Sequence, residues 1–387
     1  MTQPRLRILH ALGSFNPGGV ETWLLNVLKH IDREQFQLDF CTFGPGAGLN
    51  AKEVERLGGR ILRCPRGANV WVFRNRFRQI LREGHYDVVH SHVHLFSGAL
   101  LRWAKAEGVP MRIAHSHTSR DDRSNTLLRG YYSSRMRSWI NRYATHGLAA
   151  SQLAAKQLFG SDWEADSRFR VLYYGIDLDA FRQPFVRDEV RRELGIPLDA
   201  LVVGHVGRFV PAKNHRFLLE IASEIVKRRP EIHFLSIGDG PLRPEIEARA
   251  KAMGLEGKIL FAGTRSDVPR LMRGSIDLFV FPSLYEGFGL SVLEAQAAGL
   301  RCLVSDAVPD EVGLSQESVE FLPASGGAAL WATRAIALLK ARKNSTSVMD
   351  RVSRDQFSIQ QSRLELARVY LSMQPSDAPT AAECVES

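Results

Sequence analysis

The chain has 387 residues, 44% hydrophobic and 24% charged, the composition of a soluble globular protein with length enough for two domains of ordinary size. No apolar run approaches the roughly 20 residues that span a bilayer, and the opening Met-Thr-Gln-Pro-Arg-Leu-Arg lacks the apolar core of a signal peptide, so an integral membrane protein is excluded and a cytoplasmic one expected. The net charge of +9 is uneven: residues 1–187 hold 27 Lys and Arg against 16 Asp and Glu, the remainder 24 against 26, and a basic half calls for an anionic partner such as a phosphorylated substrate, acidic lipid or nucleic acid.

Short strand-like runs alternate with helical patterns along the whole chain, the signature of an α/β protein. In the first half, strands are expected at Arg5–Ala11, Gln37–Thr42, Arg60–Arg63, Val88–His92, Arg112–His115 and Gly147–Ala150. A helix over Val20–Ile31 buries Trp23, Val27 and Ile31, and Gly18 and Gly19 open it, where free N–H groups and a bare backbone suit a phosphate. They do not form the G-x-G-x-x-G dinucleotide fingerprint, which speaks against a nicotinamide cofactor. Trp71–Arg82 reads as an amphipathic helix with Phe73, Phe77, Ile80 and Leu81 on one face and Arg74, Arg78 and Arg82 in a row. That helix either faces the core with a solvated basic side or docks on anionic lipid. Cys41, Cys64, Cys302 and Cys384 show no paired spacing, so reduced thiols are expected.

A second pattern starts at Leu201–Val206, after the stretch Phe181–Pro197, and continues with strands at His233–Ile237, Ile259–Ala262, Ile276–Phe281 and Cys302–Ser305. Two Rossmann-like, doubly wound parallel sheets facing a cleft follow, with ligand at the carboxyl ends of the strands. The expected division is residues 1–185, residues 186–355, a helix at 356–373 crossing back to the first domain, and a polar, disordered tail at 374–387.

Two stretches of the second half carry chemistry. In Gly207-Arg-Phe-Val-Pro-Ala-Lys213, Arg208 and Lys213 flank a proline turn after a strand. A guanidinium fork and an ammonium there suit a diphosphate; a solvated basic loop is the plain alternative. In Glu286-Gly-Phe-Gly289, the two glycines let backbone approach a ligand, and the helix from Leu290 offers free N–H groups. Glu294, in the early turns of that helix, can accept two hydroxyl hydrogen bonds as a ribose diol requires. As a charge near the helix start alone it would be worth about 0.3–1 kcal/mol, which leaves Glu286 and the glycines unexplained.

Glu286, Gly287, Phe288, Gly289 and Glu294, preceded by Phe281-Pro-Ser283, resemble the E-x7-E signature of retaining glycosyltransferases of the GT-B fold, in the large group 4 of nucleotide-sugar-dependent enzymes. Gly207-Arg208 with Lys213-Asn214, Gly238-Asp-Gly240 and the loop Pro17-Gly-Gly-Val-Glu21 match its other motifs in order, and the likeness runs over about residues 5–372. By this resemblance Arg208 and Lys213 hold the donor pyrophosphate and Glu294 binds ribose. Glu286 and the backbone of Phe288–Leu290 take the sugar and distal phosphate, with Gly18, Gly19, Gly287 and Gly289 close to the donor. A histidine beside the transferred sugar is implied at His117, with His115 as the alternative register, so His117 and Glu286 are the catalytic candidates.

His90, His92 and His94 fall on one side if their strand continues, which raises zinc; a full tetrahedral ligand set is not evident, and no metal or other cofactor is expected. The resulting expectation is a retaining transfer from a nucleoside-diphosphate sugar to a saccharide or lipid-linked hydroxyl, in surface polysaccharide or glycolipid assembly. It would take place in the cytoplasm or against the inner face of the membrane, with an anionic lipid surface as a partner of the basic first domain. A sugar-nucleotide epimerase or hydrolase of similar fold and a catalytically silent nucleotide-sugar-binding module are the competing readings; nucleic acid is not expected, since no recognisable module for it is present.

Overall fold

The structure is a computed structural model that describes residues 5–16, 18–44, 46, 48, 50–67, 69–120, 126–341 and 356–373. Its first sheet is built from β1 (Leu6–Leu12), β2 (Phe36–Thr42), β3 (Arg60–Arg63), β4 (Val88–Ser91), β5 (Met111–Ser116), β6 (His146–Ala149) and β7 (Phe169–Val171). The second contains β8 (Val202–Val206), β9 (His233–Ile237), β10 (Ile259–Gly263), β11 (Leu278–Phe281), β12 (Arg301–Ser305) and β13 (Val319–Leu322). The orders are 3-2-1-4-5-6-7 and 10-9-8-11-12-13, and the strand pairs are parallel, as between β1 and β4 or β8 and β9. In each sheet the order reverses beside the first strand, between β1 and β4 and between β8 and β11. At such a switch point the flanking loops leave in opposite directions and open a crevice.

Helices cover both faces of each sheet, so the central strands are buried throughout and read as near-continuous apolar runs. Phe279, Val280 and Phe281 on β11, for example, are all fully buried. The edge strands escape that pattern. Each of β7 and β13 lies at a sheet edge, is short, and carries a charged residue, Arg170 or Glu320, outside the core. Half-covered edges need no continuous apolar run, and neither strand was expected from the sequence.

Buried Arg191 holds the segment before β8 to the second sheet. Its guanidinium donates to the carbonyls of Leu198 and Ala200 at 2.8 and 2.7 Å and to the Asp277 carboxylate at 3.0 Å. Those bonds meet the desolvation cost of a buried cation, and Asp277, which leads into β11, thereby serves the scaffold. Cys41 and Cys64, distant in sequence, come together near the ends of β2 and β3 as free, buried thiols, with Cys64 Sγ donating to the Phe73 carbonyl. The spacing reading missed this pair because register across a sheet, not distance along the chain, creates it.

The helix Ile359–Leu371 packs on the first domain against the helix Gly19–His30. The indole N–H of fully buried Trp23 donates to Ser362 Oγ at 2.9 Å, and that hydroxyl donates to the Tyr173 carbonyl at 2.9 Å. Truncating a buried Trp of this kind costs about 3–5 kcal/mol. The expected disordered tail, 374–387, lies outside the described residues. In the helix Val70–Gly84, Phe73, Phe77, Ile80 and Leu81 are buried. On its basic side, Arg82 reaches Glu107 at 2.9 Å, and Arg78 shares the same carboxylate. Two of the three arginines in the row are therefore partly neutralised. Among the described residues no helix is long and apolar enough to cross a membrane.

Candidate functional site

The two switch points face each other, and the loops at the carboxyl ends of the strands meet there. They approach closely at Gly287. A Cβ on this residue would stand 2.0 Å from the His117 carbonyl oxygen and 3.0 Å from the Thr118 nitrogen. Its own carbonyl accepts the Ser151 hydroxyl at 2.6 Å. This glycine was expected to let backbone approach a ligand; it also lets the backbone of the opposite domain approach. Gly289 acts within its own domain, where at φ 97° it occupies the left-handed region that favours glycine and starts the helix Leu290–Ala297. On the other side Gly18 precedes the helix Gly19–His30, and a Cβ on Gly19 would lie 4.0 Å from Leu290 Cβ. Bare backbone thus lines both walls.

The charged residues gather around this contact. Lys213, at the end of a short helical turn after β8, places Nζ 2.5 Å from Glu286 Oε1 and 4.6 Å from the centre of the Phe281 ring. Both members of the pair are largely buried, so either one would be costly to leave unpaired. Glu294 lies one turn into the helix beyond Gly289, partly buried, and desolvation pushes its carboxyl up to about 7 against a smaller pull from Lys213. Arg208 is exposed at the mouth, and its charge acts on Glu21 across the cleft. Burial raises the Glu21 carboxyl above its usual range, and Glu21 and Glu286 both act on the Tyr174 hydroxyl, which burial also pushes up. Gly238 and Gly240 pack on the same loop from behind: a Cβ on Gly238 would meet the Gly207 carbonyl oxygen at 2.1 Å.

His117 stands at the end of β5 with Tyr174 hydrogen-bonded to Nδ1 and His92 at 2.7 Å from Nε2. From His92 the chain of contacts runs to His10 at 2.9 Å. Tyr370 on the crossing helix then bridges His10, at 3.4 Å, to His90, at 2.8 Å, and His90 reaches His115 at 3.0 Å. Burial lowers all five imidazoles, His10 and His117 to about 3, so at neutral pH each is uncharged, with one donor and one acceptor nitrogen. With both ring nitrogens of His117 engaged, contact with a sugar hydroxyl has to replace one of these bonds. His115 is fully buried one layer below, whereas His117 borders the cleft. His94 departs from expectation: β4 ends at Ser91, and His94 turns away at φ 51° into another cavity.

Among the described residues, His10/His90/His92 and His92/His115/His117 have ring nitrogens within 4.8 Å of one another, close enough to share an ion. Nitrogens bound to one tetrahedral zinc stand about 3.3 Å apart. The shortest pairs here, at 2.7 and 2.9 Å, have hydrogen-bond separations instead.

Sequence reasoning gave no role to Glu21, Ser151 or Tyr174. Glu21 falls inside the quoted glycine loop and could have been flagged. Tyr174 follows β7, a three-residue edge strand that was not among the expected ones, so it was not marked as a residue at a strand's carboxyl end.

Comparison with known proteins adds to this geometry. The sequence profile of the family described as "Glycosyl transferases group 1" matches residues 186–344, and that of "Glycosyltransferase Family 4" matches residues 17–180. The chain is 33% identical to EpsF of Bacillus subtilis (strain 168), a protein named as a glycosyltransferase, over 96% of this chain and 97% of that one. It is 29% identical, over 59% of its length and 60% of the relative's, to an Escherichia coli "UDP-Gal:alpha-D-GlcNAc-diphosphoundecaprenol alpha-1,3-galactosyltransferase". Among solved structures, Anabaena Alr3699/HepE in complex with UDP and glucose superposes with a TM-score of 0.78 at 19% identity, covering 96% of this chain and 100% of that one.

Proposed function

Because the chain belongs to the family 4 glycosyltransferases and has their GT-B fold, we propose that it moves a sugar from a nucleoside-diphosphate sugar, with retention of configuration, to a hydroxyl of a saccharide or lipid-linked acceptor. The donor binds the second domain and the acceptor the first, in the assembly of surface polysaccharide or glycolipid. One observation carries this reading: Arg208, Lys213, Glu286 and Glu294 of the second domain gather where Gly287 meets His117 of the first. The complex of the Anabaena protein with UDP and glucose and the diphosphoundecaprenol substrate in the Escherichia coli enzyme's name support donor and acceptor in turn.

In the reaction the bond from the anomeric carbon to the donor diphosphate breaks and a bond to the acceptor oxygen forms, while the acceptor's proton passes to the departing diphosphate. The charge that builds on the leaving group is the main demand, and fixed cations meet it without reorganising. Arg208 and Lys213 supply them, with the N-terminus of the helix Leu290–Ala297 behind. Lys213 exchanges Glu286 for phosphate oxygens, which frees the Glu286 carboxylate for sugar hydroxyls. Glu294 accepts from the ribose diol. His117, neutral and hydrogen-bonded by Tyr174, offers its ring to the sugar at the domain contact, and no metal is required.

Screening nucleoside-diphosphate sugars for protection against thermal unfolding, then incubating the best donor with extracted lipid acceptors and weighing the products, tests the proposal. The expected product gains one sugar mass, with its anomeric configuration unchanged by NMR. Turnover of donor alone into an isomeric sugar nucleotide would instead identify an epimerase, and binding without any turnover a silent module.

A further inference from the structure

The linked imidazoles form a single row that begins at Tyr174, passes through His117, His92, His10, Tyr370 and His90, and ends at His115. Distant parts of the chain supply it. His10 comes from β1, His90 from β4, His115 from β5, and Tyr370 from the crossing helix Ile359–Leu371. Wherever two imidazoles meet, the Nδ1 of one faces the Nε2 of the other. A neutral imidazole that accepts at one nitrogen donates at the other, so the direction of one bond fixes the next.

The ends of the row distinguish the possible directions. If every bond points from Tyr174 towards His115, each imidazole carries its proton on Nε2. The row then ends in an N–H on His115 Nε2, which is buried and has no partner among the described residues. If every bond points the other way, each imidazole carries its proton on Nδ1. His115 then ends the row with a lone pair, and the Tyr174 hydroxyl is left to donate at the cleft end. Bonds converging on Tyr370 would leave its fully buried O–H unpaired. Two features favour the direction towards Tyr174. Buried N–H groups are left unpaired more rarely than acceptors. The carboxyl groups of Glu21 and Glu286 also act on the Tyr174 hydroxyl, which draws the proton end of the row towards them, and bonds aligned in this way polarise one another.

We propose that His92, His10 and Tyr370 are positioning residues for His117: they hold its proton on Nδ1 and its Nε2 against His92, so that the ring meets the donor sugar as a hydrogen-bond donor. The inference rests on the reading that places His117 beside the transferred sugar. A sugar hydroxyl replaces Tyr174 as the acceptor of the Nδ1 proton and keeps its own proton for a carboxylate, which can only accept. Tyr370 brings the crossing helix into this order from three hydrogen bonds away.

Long-range proton–nitrogen NMR of the full chain, with isotope-labelled histidine assigned by single substitutions, reads each tautomer without substrate. His117, His92 and His10 are expected as Nδ1–H. Tyr370→Phe keeps the ring and removes the bridging hydroxyl. It should leave His10, His92 and His117 in mixed tautomers and lower kcat several-fold, with KM for the donor unchanged. His92→Phe should lower kcat about tenfold, the worth of one hydrogen bond. His92→Asn, whose amide N–H can take the place of Nδ1–H, should restore most of that loss, which packing alone would not do. His117 protonated on Nε2 in the wild type overturns the proposal, and so does an unchanged His117 tautomer and kcat in both Tyr370→Phe and His92→Phe. His92→Asn as slow as His92→Phe overturns the hydrogen-bonding role. Expected tautomers in a chain that transfers no sugar would sink the donor reading and leave the ordering of His117 standing.

Discussion

Gly287→Ala tests whether this glycine joins the domains or receives the ligand. The added methyl would lie 2.0 Å from the His117 carbonyl oxygen and 2.4 Å from its carbonyl carbon, where unstrained contacts need about 3.5 Å. Both opposing atoms are backbone, so no side chain can swing aside, and the walls must separate by more than an ångström. Overpacking of this kind typically costs about 1–3 kcal/mol. The strain falls between the domains and not within either core. It should therefore lower the population of the closed arrangement about 5–150-fold, and kcat/KM with it. The melting temperature should move little, and binding of free nucleoside diphosphate should survive, because the donor residues stay in place. Steady-state transfer to the lipid extract, calorimetry with the nucleotide and a thermal melt measure the three quantities. Gly289→Ala is the contrast: at φ 97°, with a Cβ 2.9 Å from Val308 Cγ1, it should destabilise the second domain itself. Wild-type kcat/KM in Gly287→Ala would refute the reasoning, and parallel loss of nucleotide affinity and turnover would return Gly287 to ligand contact.

Other outcomes follow from the same geometry. Arg208→Ala and Lys213→Ala should each weaken binding and turnover of the nucleotide sugar at least tenfold, and Lys213→Ala also leaves Glu286 without its partner; unchanged kinetics would remove them from the site. Glu294 holds a proton in the folded chain up to about pH 7 that the unfolded chain, at its ordinary 4.5, has lost. Its own contribution to stability should therefore fall as pH rises through that window and then level off, while donor affinity rises as the carboxylate forms. The buried imidazoles give the opposite slope, because the unfolded chain protonates them below about 6.5 and the folded chain does not. Melts and calorimetry from pH 5 to 8 should show the Glu294 slope as the difference between the wild type and Glu294→Gln, with the variant keeping the imidazole slope and losing the pH dependence of donor affinity. His117→Ala should abolish transfer and spare donor affinity, whereas an inactive His115→Ala beside an active His117→Ala would shift the register by two residues. Activity should persist in EDTA; loss on chelation with recovery on added zinc would show that the buried histidines bind a metal.

Much of the architecture was legible in the chain because parallel sheets covered on both faces leave near-continuous apolar runs. The runs at Val202–Val206 and Leu278–Phe281 are easy to see for that reason. Edge strands carry this mark less fully: β3 and β10 were expected, whereas the short β7 and β13 went unseen along with Tyr174 beyond β7. The donor-side residues were legible for a related reason: Arg208, Lys213, Glu286 and Glu294 sit at fixed offsets from strand ends, so local spacing carries them to one face.

Sequence alone thus determined the two sheets, the basic first half and the residue types at the cleft, since each follows from local period, composition or short spacing. Tertiary structure decided who touches whom. The Lys213–Glu286 pair, the meeting of Gly287 with His117, the five linked imidazoles and the neighbouring thiols of Cys41 and Cys64 all depend on contacts across strands or domains. No local pattern encodes those distances, because they arise from sheet register and from how the two domains close on each other.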